Sequence, residues 1–517
     1  MTGPVYSFAH PHQANRDALT GLLGGKGYSL WVMSHELDLP VPPGFTIPTT
    51  AAYSDMIASS GALRDTVLEG VAAIESMIGR PFGGDADPLL LSVRSGAAQS
   101  MPGMMDTILN VGMTPANTKD IALRTGDFRF AWESYRRFLV SFASIVQGRA
   151  AKEECAHLIE AEDIEAACEE FREYIDDGRV DTPTAQLAAA IECVFRSWRS
   201  PRAVSYRKKV GLPDSGGTAV NIQAMVFGNR DDASGTGVAF TRNPSTGAPE
   251  PCGDFLRRAQ GDDVVGGDSR TQSLDDFRDS MPRAYAELEG AMARLELHYR
   301  DMCDIEFTVE SGRLWLLQAR VGKRSPAAAP RIAVDLCNEG VVTRAEALAR
   351  VSADMIEPGA HSSRAASSSA PIGRGLAVSP GVATGEIAFD PDRALELAAD
   401  GHDVILVRRE TSPEDVHGMG VAKGILTTLG GMMSHAAVVA RAWGIPAVCS
   451  MENVVLNEDG LSCGGRLYRE GDILTIDGKT GLVFSGSVEA EQDVDPYVGT
   501  LLAWAATTNT HKAEERA

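Results

Sequence analysis

A histidine at the start of a short predicted helix is well placed for covalent chemistry. The segment 424–446 has the pattern of a strand, a glycine turn and a helix, and His435 falls where the helix begins. A neutral imidazole is a competent nucleophile, and the amino-terminal end of a helix lowers its pKa and favours a phosphoryl group placed on it. The position therefore suits a phosphohistidine, with a capping or packing role as the alternative.

Acidic and amide side chains converge in a predicted β-hairpin. The segment 304–320 alternates polar and apolar residues around a central Ser-Gly pair, which is typical of a hairpin turn. If the loop is 311–313, the alternation places Glu306 opposite Gln318. It also places Asp304 opposite Arg320. Oxygen ligands beside a cation suit Mg²⁺ that bridges nucleotide phosphates, whereas a solvated polar face of the hairpin is the alternative.

Two other segments place a cation beside glycine. The first is Gly24-Gly25-Lys26-Gly27, which precedes a predicted helix at 28–37 and lacks the spacing of a Walker A loop. Such a turn binds anions through its backbone N–H groups and its lysine, or simply caps a helix. The second is a predicted strand that reaches Arg94 and runs into a Met-rich loop ending at Asp106, a composition suited to a loop that moves over a ligand. Arg94 offers a bidentate fork to phosphate, or forms a surface ion pair.

Length and composition favour several globular domains. The chain has 517 residues, which at about 150 residues per domain predicts three or four domains. The formal charge of −22 argues against a nucleic-acid binder or an anionic-membrane binder. Eight scattered cysteines without a Cys-x-x-Cys pair predict reduced thiols in a cytoplasmic protein. We expect neither a leader peptide nor a membrane span, because the sequence shows neither pattern.

Hydrophobic periodicity divides the chain into mixed and helical parts. Apolar residues recur at helical spacing within 120–199, and short aliphatic runs alternate with Gly-rich turns on either side. A helical stretch at 334–356 leads into a Ser/Ala-rich segment at 361–370, which we expect to be a flexible linker. Strands and turns are predicted at 371–486, and one weak helix at 497–506. These elements predict a multidomain protein of α/β and α+β type.

Several long motifs together resemble the pyruvate, phosphate dikinase family, which also contains phosphoenolpyruvate synthase. Besides the histidine segment, the matching stretches are 25–27, 40–45, 94–106, 221–228, 234–247, 304–324 and 411–415. The resemblance covers nearly the whole chain and implies an ATP-grasp nucleotide-binding domain followed by a swivelling β/α phosphohistidine domain. The implied division is 1–330 for the ATP-grasp domain with a helical insertion at about 115–200, 331–370 for a helical segment and linker, 371–488 for the phosphohistidine domain, and 489–517 for a tail.

The resemblance also implies roles for individual residues. Phosphate-binding cations are implied at Lys26, Arg94 and Arg320, the two arginines taking part in catalysis. Nucleotide contacts are implied at Asp304, Glu306 and Gln318, the last two holding Mg²⁺. The phosphate carrier is implied at His435. In the implied reaction ATP and phosphate yield AMP, pyrophosphate and the phosphohistidine, and the Arg94 loop favours phosphate over water as acceptor of the γ-phosphoryl group.

Two features depart from the family pattern. The family's carboxy-terminal (β/α) barrel, which binds pyruvate and phosphoenolpyruvate, needs roughly 250 residues. Only about thirty residues follow position 486, so we expect no TIM barrel. We therefore expect only the nucleotide half-reaction from a monomer, with pyruvate or another acceptor supplied in trans by a barrel protein or another partner. Met433 stands where many members carry threonine, two residues before the histidine.

A different class of function is a catalytically impaired, nucleotide-sensing or regulatory subunit of a phosphoenolpyruvate-forming system. The joint presence of Lys26, Arg94, Glu306, Gln318 and His435 argues against this alternative, because no structural requirement calls for that combination. We expect ATP, phosphate and pyruvate or phosphoenolpyruvate as the small-molecule partners.

Overall fold

The computed structural model of the chain divides into two units. It describes residues 5–12, 14–53, 61–99, 101, 105–148, 154–175, 178–214, 216–266, 271–352, 355, 363–366, 370–457, 459–492 and 495–514. The first unit comprises Met1–Arg230 with Trp315–Ala319, and the second comprises Asp231–Leu314 with Arg320–Ala517. Within the described residues, no helix combines the length and the apolar character that crossing a membrane requires.

A five-stranded sheet lies at the centre of the first unit. Its strands are Tyr6–Ser7 (β1), Gly44–Ile47 (β2), Leu91–Gly96 (β3), Thr107–Val111 (β4) and Ala219–Ala224 (β5). They are ordered β1-β2-β5-β3-β4, and the pairing of β3 with β5 places Arg94 opposite Asn221. Every residue of β5 is buried, and its polar Asn221 accepts a hydrogen bond from Thr46 Oγ1 at 2.7 Å. This satisfies the requirement that a buried polar group has a partner.

The predicted helical insertion is confirmed and lies between β4 and β5 in the chain. Its helices are Pro115–Thr125, Phe128–Ser141, Ala156–Ile159, Ile164–Ile175, Pro183–Ser197 and Pro201–Val210, with a π-helical turn at Phe142–Val146. Trp132, Tyr135, Phe138 and Phe142 recur three or four residues apart and are all buried in one core. The spacing therefore predicted both the helix and its buried face. The helices Arg16–Trp31 and Gly61–Ile78 precede β3.

A second five-stranded sheet contains the predicted hairpin. Its strands are Gly235–Phe240 (β6), Cys252–Arg257 (β7), Gln272–Ser273 (β8), Cys303–Glu310 (β9) and Arg313–Val321 (β10). They are ordered β10-β9-β6-β7-β8. Between β9 and β10, Ser311 and Gly312 have φ of 49° and 79°, the left-handed pair that twists a two-residue hairpin correctly. The helices Gly261–Gly266, Leu274–Ser280 and Pro282–Tyr299 lie in the same part of the chain.

An eight-stranded sheet dominates the remainder of the second unit. From β11 onward the strands are Ser363–Ala365, Gly373–Arg374, Leu376–Ser379, Val382–Ala388, Val404–Arg408, Gly424–Thr427, Ala447–Cys449, Val454–Asn457, Gly460–Cys463, Arg466–Tyr468, Ile473–Asp477, Leu482–Ser485 and Ala490–Gln492, the last being β23. The eight strands are ordered β12-β22-β21-β14-β15-β16-β17-β13, and β18, β19 and β20 form a separate sheet.

The strands β14 to β17 run parallel, with helices as crossover connections. These helices are Pro391–Ala399, Val416–Met419 and His435–Trp443. The last connects β16 with β17, so it begins at the carboxyl end of a parallel strand. In open α/β sheets this edge is where ligands bind. None of the sheets formed by the described residues closes into a barrel.

Three expectations about elements differ from the structure. The stretch predicted as one helix at 334–356 forms two, Ala329–Asn338 and Arg344–Ala349, because Gly340 adopts a left-handed φ of 76° between them. Part of the expected linker is a strand, since β11 pairs antiparallel with β23, while 361–362 and 367–369 lie outside the described residues. The helix near the carboxyl end is longer than predicted, Pro496–Glu514, and its Leu501 is buried.

Candidate active site

His435 is the first residue of the helix His435–Trp443. Ser434 caps this helix, because its side-chain oxygen accepts a hydrogen bond from the N–H of Ala437 at 3.4 Å. Gly430 has φ of 99°, which glycine adopts without strain, so the chain turns sharply out of β16 before the helix begins. The imidazole thus lies at the positive end of a helix, as the sequence predicts.

The imidazole of His435 is half-buried and contacts a buried threonine. The Oγ1 of Thr411 lies 3.0 Å from Nδ1 of His435. Burial lowers the pKa of His435, and the charges of Asp415 and Glu414 oppose this effect. Burial thus acts in the same direction as the helix amino terminus, which also lowers the pKa of an imidazole. When Nδ1–H donates to Thr411 Oγ1, Nε2 of the neutral ring holds the lone pair that can act as a nucleophile.

Asp254 holds the loop that precedes His435, and sequence reasoning missed it. Its Oδ2 accepts a hydrogen bond from the N–H of Met433 at 2.9 Å, and Thr271 Oγ1 donates to Oδ1 at 2.9 Å. A Cβ on Gly431 would lie 2.4 Å from the same carboxylate, so this glycine permits the close approach. Burial raises the pKa of Asp254, and the hydrogen bonds oppose that shift. Asp254 on β7 and the loop are 179 residues apart in sequence, and no local signal connects them.

The predicted pairing of Asp304 with Arg320 is present. Arg320 Nε lies 2.8 Å from both carboxylate oxygens of Asp304. Asp304 is deeply buried, and burial raises its pKa to about 6, with Arg320 acting in the opposite direction and Glu306 in the same direction. Because Glu306 adds negative charge near this pair, an arginine here stays charged and helps to compensate both carboxylates.

Arg94 and Gln318 lie on neighbouring strand segments of the first unit. Arg94 Nη1 donates to the backbone oxygen of Leu317 at 3.3 Å. Ser29 Oγ donates to Ala319 O and accepts from Ala319 N–H, so both bonds anchor the residue that follows Gln318. Gln318 is buried, and its Oε1 has no hydrogen-bond partner among the described residues. A buried amide oxygen of this kind fits a ligand for a hard cation such as Mg²⁺.

Lys26 lies within a kinked helix, and not before one as the sequence suggested. The helix Arg16–Trp31 is interrupted at Gly24, whose φ is 68°. The backbone of Gly24 approaches Gly96 so closely that a Cβ would lie 1.9 Å from the Gly96 oxygen, and Gly25 N–H donates to Ala97 O at 2.9 Å. The glycines therefore bring the turn that bears Lys26 against the end of β3, just after Arg94.

The loop expected to move over a ligand lies partly outside the described residues, at 100 and 102–104. A cavity of about 150 Å³ adjoins its first residues, Ala98 and Gln99, and is also lined by Met101 and Trp198. Across the described residues, no group of three or more His, Cys, Asp or Glu side chains is arranged to hold a metal ion.

Comparison with known proteins assigns the chain to a family. The model of the pyruvate phosphate dikinase AMP/ATP-binding domain matches residues 60–281 and 268–340, more than half of the chain. The chain belongs to the pyruvate, phosphate dikinase family. Similar curated proteins include the pyruvate, phosphate dikinases of Rhizobium meliloti (strain 1021), 44% identical, Clostridium symbiosum, 40%, and Giardia intestinalis, 42%. These alignments cover 97%, 99% and 98% of the chain and 60%, 61% and 60% of the respective relatives. The chain thus spans about three fifths of their length.

A second family model matches a later part of the chain. The mobile domain of phosphoenolpyruvate-utilising enzymes matches residues 401–481, which include Thr411 and His435. The AMP/ATP-binding range contains Arg94 and Asp254, together with the hairpin residues. Lys26 precedes both ranges. The hydrogen bond from Met433 to Asp254 therefore joins the mobile domain to the AMP/ATP-binding domain.

Proposed function

We propose that the chain is a dikinase-type phosphotransferase that uses ATP and phosphate to form AMP, pyrophosphate and a phosphohistidine on His435. The observation that carries the proposal is the environment of His435: a neutral, half-buried imidazole at a helix amino terminus, with Nδ1 engaged by Thr411. Family membership supports the choice of ATP, because the matched domain is named for AMP and ATP binding.

The chemistry follows from which nitrogen carries the proton. When Nδ1–H donates to Thr411 Oγ1, Nε2 holds the lone pair and attacks the β-phosphorus of ATP. The new N–P bond forms as the bond from the β-phosphorus to the oxygen that leaves with AMP breaks. An oxygen of phosphate then bonds to the γ-phosphorus as the bond from the γ-phosphorus to the β–γ bridging oxygen breaks, which gives pyrophosphate and leaves the β-phosphoryl group on His435. The helix amino terminus then stabilises the negative phosphoryl group on the ring.

The remaining predicted residues supply positive charge and positioning. Lys26, Arg94 and Arg320 would bind the triphosphate, and Asp304 holds Arg320 in a fixed orientation through two contacts. Glu306 and Gln318 would hold Mg²⁺, which neutralises charge on phosphate oxygens when bound. The buried Oε1 of Gln318 supports this part of the proposal. We further propose that the nucleotide-binding part is of the ATP-grasp type and that pyruvate, named in the relatives, is an acceptor of the phosphoryl group from His435.

Labelling with ATP tests this function directly. The chain is incubated with Mg²⁺, phosphate and ATP labelled at the β-position, and acid-labile label on the protein is measured. We expect label on the wild-type chain and none on His435→Ala. His417→Ala is the matched control, since His417 is exposed in the same domain and pairs with Asp392. A chain that binds ATP without ever becoming labelled would overturn the carrier role and favour a nucleotide sensor.

A further inference from the structure

Arg441 contacts both the loop that precedes His435 and a residue of β6. It lies six residues after His435 on the same helix and is buried. Its Nη2 donates to the backbone oxygen of Met432 at 2.7 Å. On its other side the guanidinium lies over the ring of Phe240, 5.6 Å from the centroid. Phe240 belongs to β6, so this cation of the mobile domain packs on the sheet of the AMP/ATP-binding domain.

The peptide group between Met432 and Met433 is held at both ends. Its carbonyl oxygen accepts from Arg441, and its N–H donates to Asp254. A cation from the mobile domain and a carboxylate from β7 thus orient one peptide plane. That plane lies two residues before His435, so it fixes the direction from which the chain enters the helix.

The two charges also compensate each other. Arg441 and Asp254 are both buried, and burial disfavours the charged form of each group. Arg441 lowers the pKa of Asp254, opposing the effect of burial. Nε and Nη1 of Arg441 find no acceptor among the described residues. The guanidinium is therefore stabilised by the Met432 carbonyl, the Phe240 ring and the negative charge of Asp254. The ring and the carboxylate belong to the β6–β7 sheet, so they stabilise Arg441 only when it packs on that sheet.

We propose that Arg441 is a positioning residue that sets the loop before His435 against the β6–β7 sheet and thereby makes phosphorylation of His435 from nucleotide efficient. Arg441 takes no part in bond formation. The role rests on the proposed function, since it concerns the step in which ATP is the phosphoryl donor. It predicts that loss of Arg441 affects a donor held by the AMP/ATP-binding domain, and spares a donor that reaches His435 from solution.

In the full chain, two phosphoryl donors test whether loss of Arg441 slows only the phosphorylation of His435 from bound nucleotide. Labelling from ATP needs both domains, whereas phosphoramidate is a small donor that phosphorylates exposed imidazole without a nucleotide site. We expect Arg441→Met to slow labelling from ATP roughly 30-fold or more, the effect of leaving a buried charge without its partner. Phosphoramidate labelling should stay within about twofold, because the helix and His435 remain. Arg441→Lys should recover part of the rate. Arg466→Met is the matched control, since Arg466 is an exposed arginine of the same domain.

A second measurement does not depend on nucleotide. Hydrogen exchange of the segment 428–436 should be faster in Arg441→Met and in Asp254→Asn, and the double variant should show little further change because both act on one peptide. Equal loss of labelling from both donors, or faster exchange throughout β14–β16, would assign Arg441 to local folding and overturn the proposal. Unchanged labelling and exchange would also overturn it. A wild-type chain that ATP never labels refutes the proposed function instead, and the exchange result still decides the role of Arg441.

Discussion

Replacing Thr411 by valine tests whether its hydroxyl selects the reactive nitrogen of His435. Thr411 is buried and valine has nearly its shape, so the substitution removes the 3.0 Å contact to Nδ1 with little change in packing. If Nδ1–H donates to Thr411 Oγ1 in the wild type, removing the hydroxyl takes away the acceptor that favours this tautomer, so the form with the proton on Nε2 gains population. That tautomer has no lone pair at Nε2 for attack on phosphorus.

The expected size of the effect follows from the hydrogen bond. A neutral hydrogen bond contributes about 1 kcal/mol net, and a buried group left without its partner costs up to about 3 kcal/mol. Because His435 is only half-buried, water reaches part of the ring, and a value of about 1–2 kcal/mol applies. This range corresponds to a labelling rate about 5- to 30-fold slower.

Single-turnover labelling from β-labelled ATP measures this rate, and ¹⁵N chemical shifts of the imidazole report the tautomer. Thr411→Ser keeps the hydroxyl and should retain most of the wild-type rate. The reasoning would be refuted by Thr411→Val labelling at the wild-type rate with an unchanged tautomer. It would equally be refuted by Thr411→Ser labelling as slowly as Thr411→Val, because the hydroxyl would then be irrelevant.

Three further predictions concern the loop, the metal and pH. Gly431→Ala should slow labelling from ATP at least about tenfold, because its Cβ would overlap the Asp254 carboxylate. Gly420→Ala is the control and should not slow labelling, because a Cβ at that position makes only ordinary contacts. Gln318→Leu should raise the Mg²⁺ concentration needed for half-maximal labelling. Thermal stability should stay nearly unchanged, since Oε1 has no hydrogen-bond partner among the described residues. An unchanged Mg²⁺ dependence would show that Gln318 is not a metal ligand. The labelling rate should fall as the pH is lowered, with a midpoint below pH 6.5. Burial lowers the pKa of His435 from 6.5, and Asp304, with a pKa of about 6, protonates in the same range and releases Arg320. A midpoint above pH 6.5 would contradict both assignments.

The hairpin that contains Asp304 and Arg320 shows which contacts can be predicted from the local sequence pattern. Strand alternation with a loop at 311–313 predicts that these two side chains face each other, and the structure brings them into contact. Lys26 shows the limit of the same reasoning. Its glycines indicate a turn, but the close approach of Gly24 depends on Gly96 at the end of β3, 96 − 24 = 72 positions away in the chain. Local sequence could not distinguish a kink within a helix from the start of one.

The part of the segment 361–370 that forms β11 differs from the expected linker for a related reason. Small polar residues bury little surface, so composition favours a flexible linker. The partner strand β23 nevertheless satisfies the backbone of β11, and Ala365 packs with Phe484 and Val488. Backbone hydrogen bonds are open to every residue type, and whether a strand lies alongside depends on the fold.

The sequence by itself determined the elements whose causes are local: the buried face of the helical insertion, the hairpin, and the glycine turn that starts the helix at His435. Its motifs also identified the family and the candidate phosphate-binding residues. The tertiary structure alone decided that Thr411 meets Nδ1, that Asp254 and Arg441 hold the same peptide, and that Gln318 is buried without a partner for its Oε1 among the described residues. These contacts join residues up to 179 positions apart. Periodicity and spacing report which way a side chain faces within its own element, whereas the identity of its neighbour depends on how the domains pack.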